Sequence, residues 1–220
     1  MGTKNEKLIF SKFFNVSRET MHTLQSFENL ILTQLNNVNI IGKSTEDKIW
    51  LRHFSDSAKL FKHIEELTLK DAKKTFSIVD VGTGAGFPGM VLAILNKEKR
   101  LNIKFTLVES TSKKFNFLIQ TSRKLKLKVN INNKRAELLD DCFDIILARA
   151  VAPLSKLMNL TWNLAKKKTV FMFPKGKNWE KETTELKKKW YFQLNVVKNN
   201  KEFDESGGVT LIFSKVKRKL

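Results

Sequence analysis

The chain has 220 residues, of which 41% are hydrophobic, so it is long enough to fold around one sizeable core. No apolar run approaches the roughly 20 residues of a membrane helix, and the N-terminus shows no apolar signal core. The single cysteine, Cys142, excludes an intramolecular disulfide and a cysteine-cluster zinc site, and no metal-ligand spacing occurs among the histidines. We therefore expect a cytoplasmic protein without a metal.

The net charge of +19 results from 41 basic and 22 acidic residues. Such an excess favours a polyanionic partner, with nucleic acid as the first candidate. The basic residues are 34 lysines and 7 arginines, beside 18 asparagines, and a genome rich in A and T produces this bias without any functional demand. Both origins of the charge remain open from composition alone.

The first third of the chain is predicted to be helical. Apolar residues recur with helical spacing from residue 8 to residue 35, and Ser17 is a predicted N-cap within this stretch. A second helix is predicted to start at Ser44 or Thr45 and to end before Lys70. One face of the first helical stretch carries Met21, Leu24, Phe27, Ile31 and Leu35.

From residue 76 onwards, β-rich runs alternate with helical patterns, which indicates βαβ crossovers and a parallel sheet. Two final strands, 189–197 and 208–216, have no helix between them and are predicted to pair as an antiparallel hairpin. We expect an N-terminal helical extension, 1–70, joined without a linker to one α/β domain, 71–220. The preceding strands are predicted at 76–81, 103–110, within 128–139, at 143–151 and at 168–176, with helices at 88–96, 112–125 and about 153–165.

The stretch VDVGTGAGFPG, residues 79–89, forms a glycine-rich turn between the first strand and its helix. One register, from Gly84 to Gly89, has the G-x-G-x-x-G spacing of a dinucleotide site. The other register, from Asp80 to Gly86, is typical of a loop that holds a nucleoside without a pyrophosphate. A phosphate-binding P-loop is excluded because its lysine motif is missing.

Three observations favour the second register. Gly82 directly follows the strand and therefore opens the turn. Pro88 lacks the N–H that a pyrophosphate requires at the start of a helix. The carboxylate of Asp80 suits a cationic ligand end, such as the amino group and sulfonium of S-adenosylmethionine. The loop therefore predicts S-adenosylmethionine as cofactor, bound at Asp80, Gly82, Gly84 and Gly86.

Further candidates follow the next strands. Glu109 ends the second strand and is expected to accept hydrogen bonds from ribose hydroxyls, which does not distinguish between cofactors. Ala136 and Glu137, after the third strand, are candidates for contact with an adenine ring. Arg149 ends the fourth strand, where a carboxylate partner within the fold, a cofactor carboxylate and a phosphate are all open as its ligand.

Two more candidates belong to the substrate side. The segment RHFSDS, 52–57, places Arg52 and His53 within one helical turn of Asp56, which ordinary pairing on a helix surface also explains. Lys175 follows the fifth strand. The Asn/Asp-Pro-Pro-aromatic motif that typically serves methylation of an exocyclic amine is absent.

The motifs RHFSDS, VDVGTGAGFPGMVLAI, TLVESTSKKFNFL, FDIILARAVAPL and FMFPKG together resemble the ribosomal RNA small subunit methyltransferase G family, also called glucose-inhibited division protein B. The resemblance covers nearly the whole chain. It implies a Rossmann-like class I methyltransferase fold and methyl transfer to N7 of a guanine in 16S ribosomal RNA. It also implies cofactor contacts from Gly82, Phe87, Ala136, Glu137 and Arg149, with the ribosomal RNA or the small subunit as partner. We separately expect a monomer.

Guanine N7 has an in-plane lone pair and no proton, so this reaction requires no general base and depends on positioning and electrostatics. We hypothesise that Arg52, His53 and Lys175 position the RNA and that Arg149 fixes the cofactor. Three alternatives remain open. They are a methyltransferase of another substrate, a nicotinamide-dependent oxidoreductase and a non-catalytic RNA-binding module.

Overall fold

The computed structural model describes residues 4–35, 40, 42, 48–198 and 208–219. In chain order its helices are α1 (Lys4–Phe14), α2 (Arg18–Leu35), α3 (Ser55–Leu69), α4 (Gly89–Lys99), α5 (Ser112–Lys124), α6 (Leu154–Thr161) and α7 (Trp179–Lys189). Its strands are β1 (Phe76–Val81), β2 (Ile103–Val108), β3 (Val129–Asn132), β4 (Phe143–Ala148), β5 (Ala165–Lys175), β6 (Trp190–Lys198) and β7 (Val209–Arg218).

The N-terminal helical stretch is divided into α1 and α2 by a turn at Asn15, whose φ is 46°. The predicted cap at Ser17 is confirmed, because its Oγ accepts a hydrogen bond from the Thr20 N–H at 3.2 Å. The predicted start of the next helix, at Ser44 or Thr45, lies outside the described residues. Its predicted end before Lys70 is confirmed, and a turn of π-helix, Trp50–Phe54, leads into α3.

The strands form one seven-stranded sheet in the order β3-β2-β1-β4-β5-β7-β6. Strands β1 to β5 are parallel to one another, and β7 lies between β5 and β6, antiparallel to both. The predicted parallel sheet with an antiparallel C-terminal pair is therefore confirmed. The strands β2 and β4 end before Glu109 and Arg149, so these residues directly follow their strands and lie outside them.

The helix α7 was not predicted from the sequence. Its segment WEKETTELKKK buries only Thr183 and Leu186, so it shows little of the apolar periodicity that indicates a helix. It connects β5 to β6, and its first residues lie beside the end of β5.

The N-terminal helices and the sheet share one hydrophobic core. Phe27 of α2, Phe54 of the π-turn and Phe87 of the glycine loop are in mutual contact, with ring centroids 5.3 to 5.7 Å apart. The same buried cluster includes Ile78 of β1 and Phe105 of β2. The three aromatic rings therefore join the helical extension to the loop at the end of β1. Among the described residues, no helix combines the length and apolarity that crossing a bilayer requires.

Candidate cofactor and substrate site

The glycine loop after β1 has the backbone conformation expected for the second register, which runs from Asp80 to Gly86. Gly82, Gly84 and Gly86 have φ values of 65°, 60° and 104°, a region that residues with a Cβ rarely adopt. Gly89 belongs to α4 instead, and a Cβ at that position would lie 2.8 Å from Asp80 Oδ2. The three left-handed glycines therefore shape the loop, and the fourth allows α4 to pack closely against β1.

Asp80 lies beneath this loop and is only 1% exposed. Its Oδ2 accepts hydrogen bonds from the Thr83 hydroxyl at 2.5 Å and from the Gly89 N–H at 2.8 Å. Its Oδ1 is buried and accepts no hydrogen bond from the described residues. Burial raises the pKa of Asp80 to about 7, although the two hydrogen bonds and the Arg149 charge act in the opposite direction.

Glu109 is buried against the other side of the loop. Its Oε2 accepts a hydrogen bond from the Gly84 N–H at 3.0 Å, and its Oε1 accepts one from the Thr111 N–H at 2.8 Å. The carboxylate thus fixes the middle of the glycine loop relative to the start of α5. The contact with a ribose stays a prediction, and it would have to share these oxygens with the two backbone donors.

A short 3₁₀ turn, Ala136–Leu138, follows β3 at the same edge of the sheet. Ala136 is buried, Glu137 is exposed, and Leu138 exposes 63% of its surface although it is apolar. Val151, after β4, is 38% exposed, and its Cγ2 lies 2.7 Å from where a Cβ of Gly82 would be. Nothing in the sequence singles out Leu138 or Val151 beyond their position after strand ends.

Arg149 links β4 to the segment that precedes α3. Its Nη1 donates a hydrogen bond to the Arg52 carbonyl at 2.6 Å and lies 3.6 Å from Asp56 Oδ2, while its Nη2 contacts His53 Nδ1. Its guanidinium carbon lies 5.8 Å from the centre of the Phe87 ring. A carboxylate partner within the fold, one of the roles left open for Arg149, is therefore present.

His53 is enclosed in this cluster, with 8% of its surface exposed. Its ring lies 4.9 Å from that of Phe87. Burial, followed by the charges of Arg149 and Arg52, lowers the pKa of His53 to about 3, so the imidazole is neutral near pH 7. Pairing along the helix is not the whole account of Asp56. It pairs with Lys59 of the same helix at 3.1 Å, and its Oδ2 also lies 3.6 Å from Arg149, so it joins α3 to the end of β4.

Lys175 lies at the end of β5 and is held by α7. Its Nζ lies 2.6 Å from Glu182 Oε2 and donates a hydrogen bond to the Ala152 carbonyl at 3.2 Å. The same Glu182 oxygen accepts a hydrogen bond from the Leu154 N–H at 2.6 Å, at the start of α6. Glu182 was not predicted as part of the site, since its helix was not predicted either.

The structure brings the substrate-side candidates together around one cavity of about 380 Å³ at the ends of β4 and β5. Its wall has two arginines, a lysine and two carboxylates, and the carboxylates lie beside Arg149 and Lys175. The side chains with polar groups in this wall include Arg52, His53, Asp56, Arg149, Lys175 and Glu182. Mostly small and apolar residues complete the lining, and the volume lies within the range of small-molecule sites.

Comparison with known proteins gives the family. The family model described as rRNA small subunit methyltransferase G matches residues 20–209. A protein of Jannaschia sp. named ribosomal RNA small subunit methyltransferase G is 35% identical over 190 residues, covering 86% of this chain and 87% of that protein. A protein of the same name from Cereibacter sphaeroides is 37% identical over 183 residues, covering 83% and 85%.

Solved structures show the same fold at low identity. M. jannaschii TYW2 in complex with AdoMet is similar with a TM-score of 0.50 and 15% identity, over 72% of this chain and 76% of that one. The ribosomal protein L11 methylase of Lactobacillus delbrueckii subsp. bulgaricus has a TM-score of 0.50 and 15% identity, over 73% and 79%. The sheet is thus that of Rossmann-like class I methyltransferases, and the chain belongs to the rRNA small subunit methyltransferase G family.

Proposed function

We propose that this chain transfers a methyl group from S-adenosylmethionine to N7 of a guanine in 16S ribosomal RNA. The observation that carries the proposal is the family match over residues 20–209, because it spans the glycine loop and the cavity together. The charge of the cavity agrees with it, since Arg52, Arg149 and Lys175 suit a phosphate or a purine edge.

The residues present fit the proposed cofactor. The left-handed turns at Gly82, Gly84 and Gly86 let a ligand approach the loop backbone without side chains in the way. The buried Oδ1 of Asp80, which accepts no hydrogen bond within the described part of the chain, is an acceptor that an ammonium group would satisfy. S-adenosylmethionine, when bound, supplies an electrophilic methyl group. Phe87, Glu109, Ala136, Glu137 and Arg149 remain its further proposed contacts.

The carboxylates of the cavity are engaged with cationic side chains, since Asp56 lies 3.6 Å from Arg149 and Glu182 lies 2.6 Å from Lys175. His53 is neutral near pH 7, but its Nδ1 already contacts the guanidinium of Arg149. Asp80 is enclosed beneath the loop, where Thr83 and Gly89 use one of its oxygens. Guanine N7 has no proton to lose, so the chemistry asks only that Arg52, His53 and Lys175 hold the base in line with the methyl group.

The partner we propose is the small-subunit ribosomal RNA, free or assembled, which places the enzyme's action in the cytoplasm. We further propose that the chain acts as a monomer. In this proposal the helical extension, 1–70, and the methyltransferase domain, 71–220, work as one unit, and the shared aromatic contacts of Phe27, Phe54 and Phe87 support that view.

The test is to map N7-methylguanine in small-subunit RNA from cells with and without this chain. We expect one N7-methylguanine to disappear without the chain and to return when the wild-type chain is supplied. An Arg149→Ala chain should fail to restore it and should bind S-adenosylhomocysteine more weakly. An unchanged RNA methylation pattern in the cells that lack the chain would refute the proposed substrate.

A further inference from the structure

The positive charge of the protein is concentrated at one edge of the sheet, opposite the cavity. Each helix between two parallel strands runs back across the sheet, so its C-terminal end and the start of the next strand lie at the same edge. We call this the amino edge, and the opposite edge, where the parallel strands end, the carboxyl edge. We define the basic edge as residues 70–75, 97–104, 123–128, 140–144, 165–169, 187–191 and 215–219. These segments contain 21 lysines and arginines against five aspartates and glutamates.

The rest of the chain is close to neutral. It has 20 basic and 17 acidic residues, so the basic edge carries nearly all of the net charge of +19. A compositional bias towards lysine would raise the charge of every surface, because it does not depend on position in the fold. The segregation onto one edge therefore indicates a second cause.

Part of the segregation has a structural explanation. Basic residues in the last turns of α4, α5 and α7 complement the helix dipoles. The dipole does not explain the lysines of the strand segments, 165–169 and 215–219, which contain seven basic residues and no acidic one. Lys167, Lys168 and Lys217 are exposed, and each makes no ion pair with any residue that the structure describes.

The basic edge spans the sheet, although its segment at the start of β4, 140–144, contains three aspartates and no basic residue. Asp144, at the start of β4, is neutralised by Lys74 at 2.7 Å and by Lys166 at 3.1 Å, which joins the segments before β1 and β5. The end of β7 contacts the start of β6, because the Lys219 N–H donates to the Lys189 carbonyl at 2.9 Å. With strands about 4.8 Å apart, the seven strands extend this edge over about 29 Å.

We propose that the basic edge binds the phosphate backbone of ribosomal RNA at a place remote from the methylated guanine. The inference rests on the proposed function, since ribosomal RNA is the polyanion that the enzyme must bind. The six residues of β1 separate the two edges by about 17 Å. Because the basic edge lies on the opposite side of the sheet from the cavity, an RNA that contacts both has to extend around the domain. We therefore expect a folded RNA or an assembled subunit, and not a short hairpin bound in the cavity, to use both.

The test compares two variants with the same change in charge. The edge variant combines Lys167→Glu, Lys168→Glu and Lys217→Glu. The control variant combines Lys4→Glu, Lys12→Glu and Arg18→Glu, which are exposed positions of α1 and α2. Affinity for purified small ribosomal subunits and for a short hairpin with the target guanine is measured at several salt concentrations, and melting temperature shows that both variants fold.

We expect the edge variant to bind subunits at least about tenfold more weakly at physiological salt. The slope of log affinity against log salt should fall by about one unit for each phosphate that the edge no longer neutralises. Binding to the short hairpin and turnover at saturating subunit concentration should not change. A triple Lys→Gln variant at the same positions should show the same direction with a smaller effect on affinity.

Two results would overturn the proposal. They are equal losses of affinity in the edge and control variants, and unchanged subunit binding in the edge variant. Failure of the proposed function gives a different result, because the wild-type chain would then form no N7-methylguanine whatever the edge variant does to binding.

Discussion

Two buried titratable groups, Asp80 and His53, give the folded state opposite dependences on pH. The folded pKa of Asp80 is raised from 3.8 to about 7, so the unfolded chain loses this proton first and stability falls as pH rises between these values. The folded pKa of His53 is lowered from 6.5 to about 3, so stability falls as pH decreases across that interval. The two effects largely cancel between pH 4 and pH 6.5, and the wild-type protein should show little net dependence there.

We expect Asp80→Asn to remove the pH dependence of stability that Asp80 contributes. At pH 8 the variant no longer keeps a buried carboxylate ionised, so its stability relative to wild type should improve by up to about 4 kcal/mol between pH 4 and pH 8. The amide oxygen can still accept from Gly89. Urea unfolding without added ligand, measured from pH 4 to pH 8, checks this expectation.

The matched variant His53→Gln should change the pH profile in the opposite direction. Its stability relative to wild type should improve as pH decreases from 6.5 to 4, because the glutamine has no proton to exclude. Parallel profiles for wild type and both variants would show that neither group titrates differently on folding, and the assigned burial effects would then be wrong.

Gly84 allows the cost of the left-handed backbone to be measured without a side-chain clash. Gly84 has a φ of 60° and open space around its Cβ position, so Gly84→Ala should cost about 1–2 kcal/mol from the left-handed backbone alone. Gly84→Asn should cost less, because asparagine tolerates this region. Thermal unfolding of the two variants is the measurement, and equal stabilities for wild type and Gly84→Ala would contradict the loop geometry.

At residue scale, the sequence predicted the candidates whose chemistry depends on their position after a strand. Asp80, Glu109, Arg149 and Lys175 all lie at the carboxyl edge as expected, because strand periodicity places them there. The contact of Arg149 with His53 was not predictable, since spacing along the chain says nothing about which distant segments meet.

At the scale of elements, α7 explains how Lys175 is held. Its residue Glu182 binds both the Lys175 ammonium and the Leu154 N–H at 2.6 Å, so it connects β5, α6 and α7. We expect Glu182→Ala to reduce the free energy of unfolding by about 1–3 kcal/mol, because a partly buried donor and a cation are left without their partner. Chemical denaturation measures this decrease.

The same helix supplies the control. Glu185 forms an exposed pair with Lys188 at 2.8 Å, and Glu185→Ala should change stability by less than about 0.5 kcal/mol. If the two variants were destabilised equally, the cost would come from helix propensity and not from the contacts of Glu182. A substrate affinity that decreases only in Glu182→Ala would further support the position of Lys175 in the cavity.

The β-strands were predicted well because parallel strands are buried on both faces and read as short apolar runs. The four last residues of β1 are all buried, as this pattern predicts. The helix α7 was missed for the converse reason, since it lies on the surface and buries two residues. The placement of β7 between β5 and β6 could not be read from periodicity, which does not specify strand order.

At the scale of the whole molecule, the two proposals assign different parts of RNA binding to the two edges of the sheet. We propose that the carboxyl edge, with the enclosed cluster around Arg149, selects the base, and that the exposed lysines of the amino edge attract phosphates independently of sequence. Under these proposals, the same sheet would separate specificity from affinity. The N-terminal helices close the carboxyl edge through Phe27 and His53, which contact Phe87 of the glycine loop.

Cofactor binding should stabilise the whole fold, because the glycine loop contacts β1, α4 and the N-terminal helices. S-adenosylhomocysteine at 100 times its dissociation constant should add about 2.7 kcal/mol to the free energy of unfolding, and the melting temperature should rise accordingly. NAD at the same concentration should leave it unchanged, because Pro88 has no N–H for a pyrophosphate and Gly89 donates its own to Asp80. Differential scanning fluorimetry compares the two ligands directly.

A shift of the melting temperature with NAD and none with S-adenosylhomocysteine would reverse the register assigned to the loop. The Gly84→Asn variant should retain the S-adenosylhomocysteine shift only if the ligand avoids that side chain.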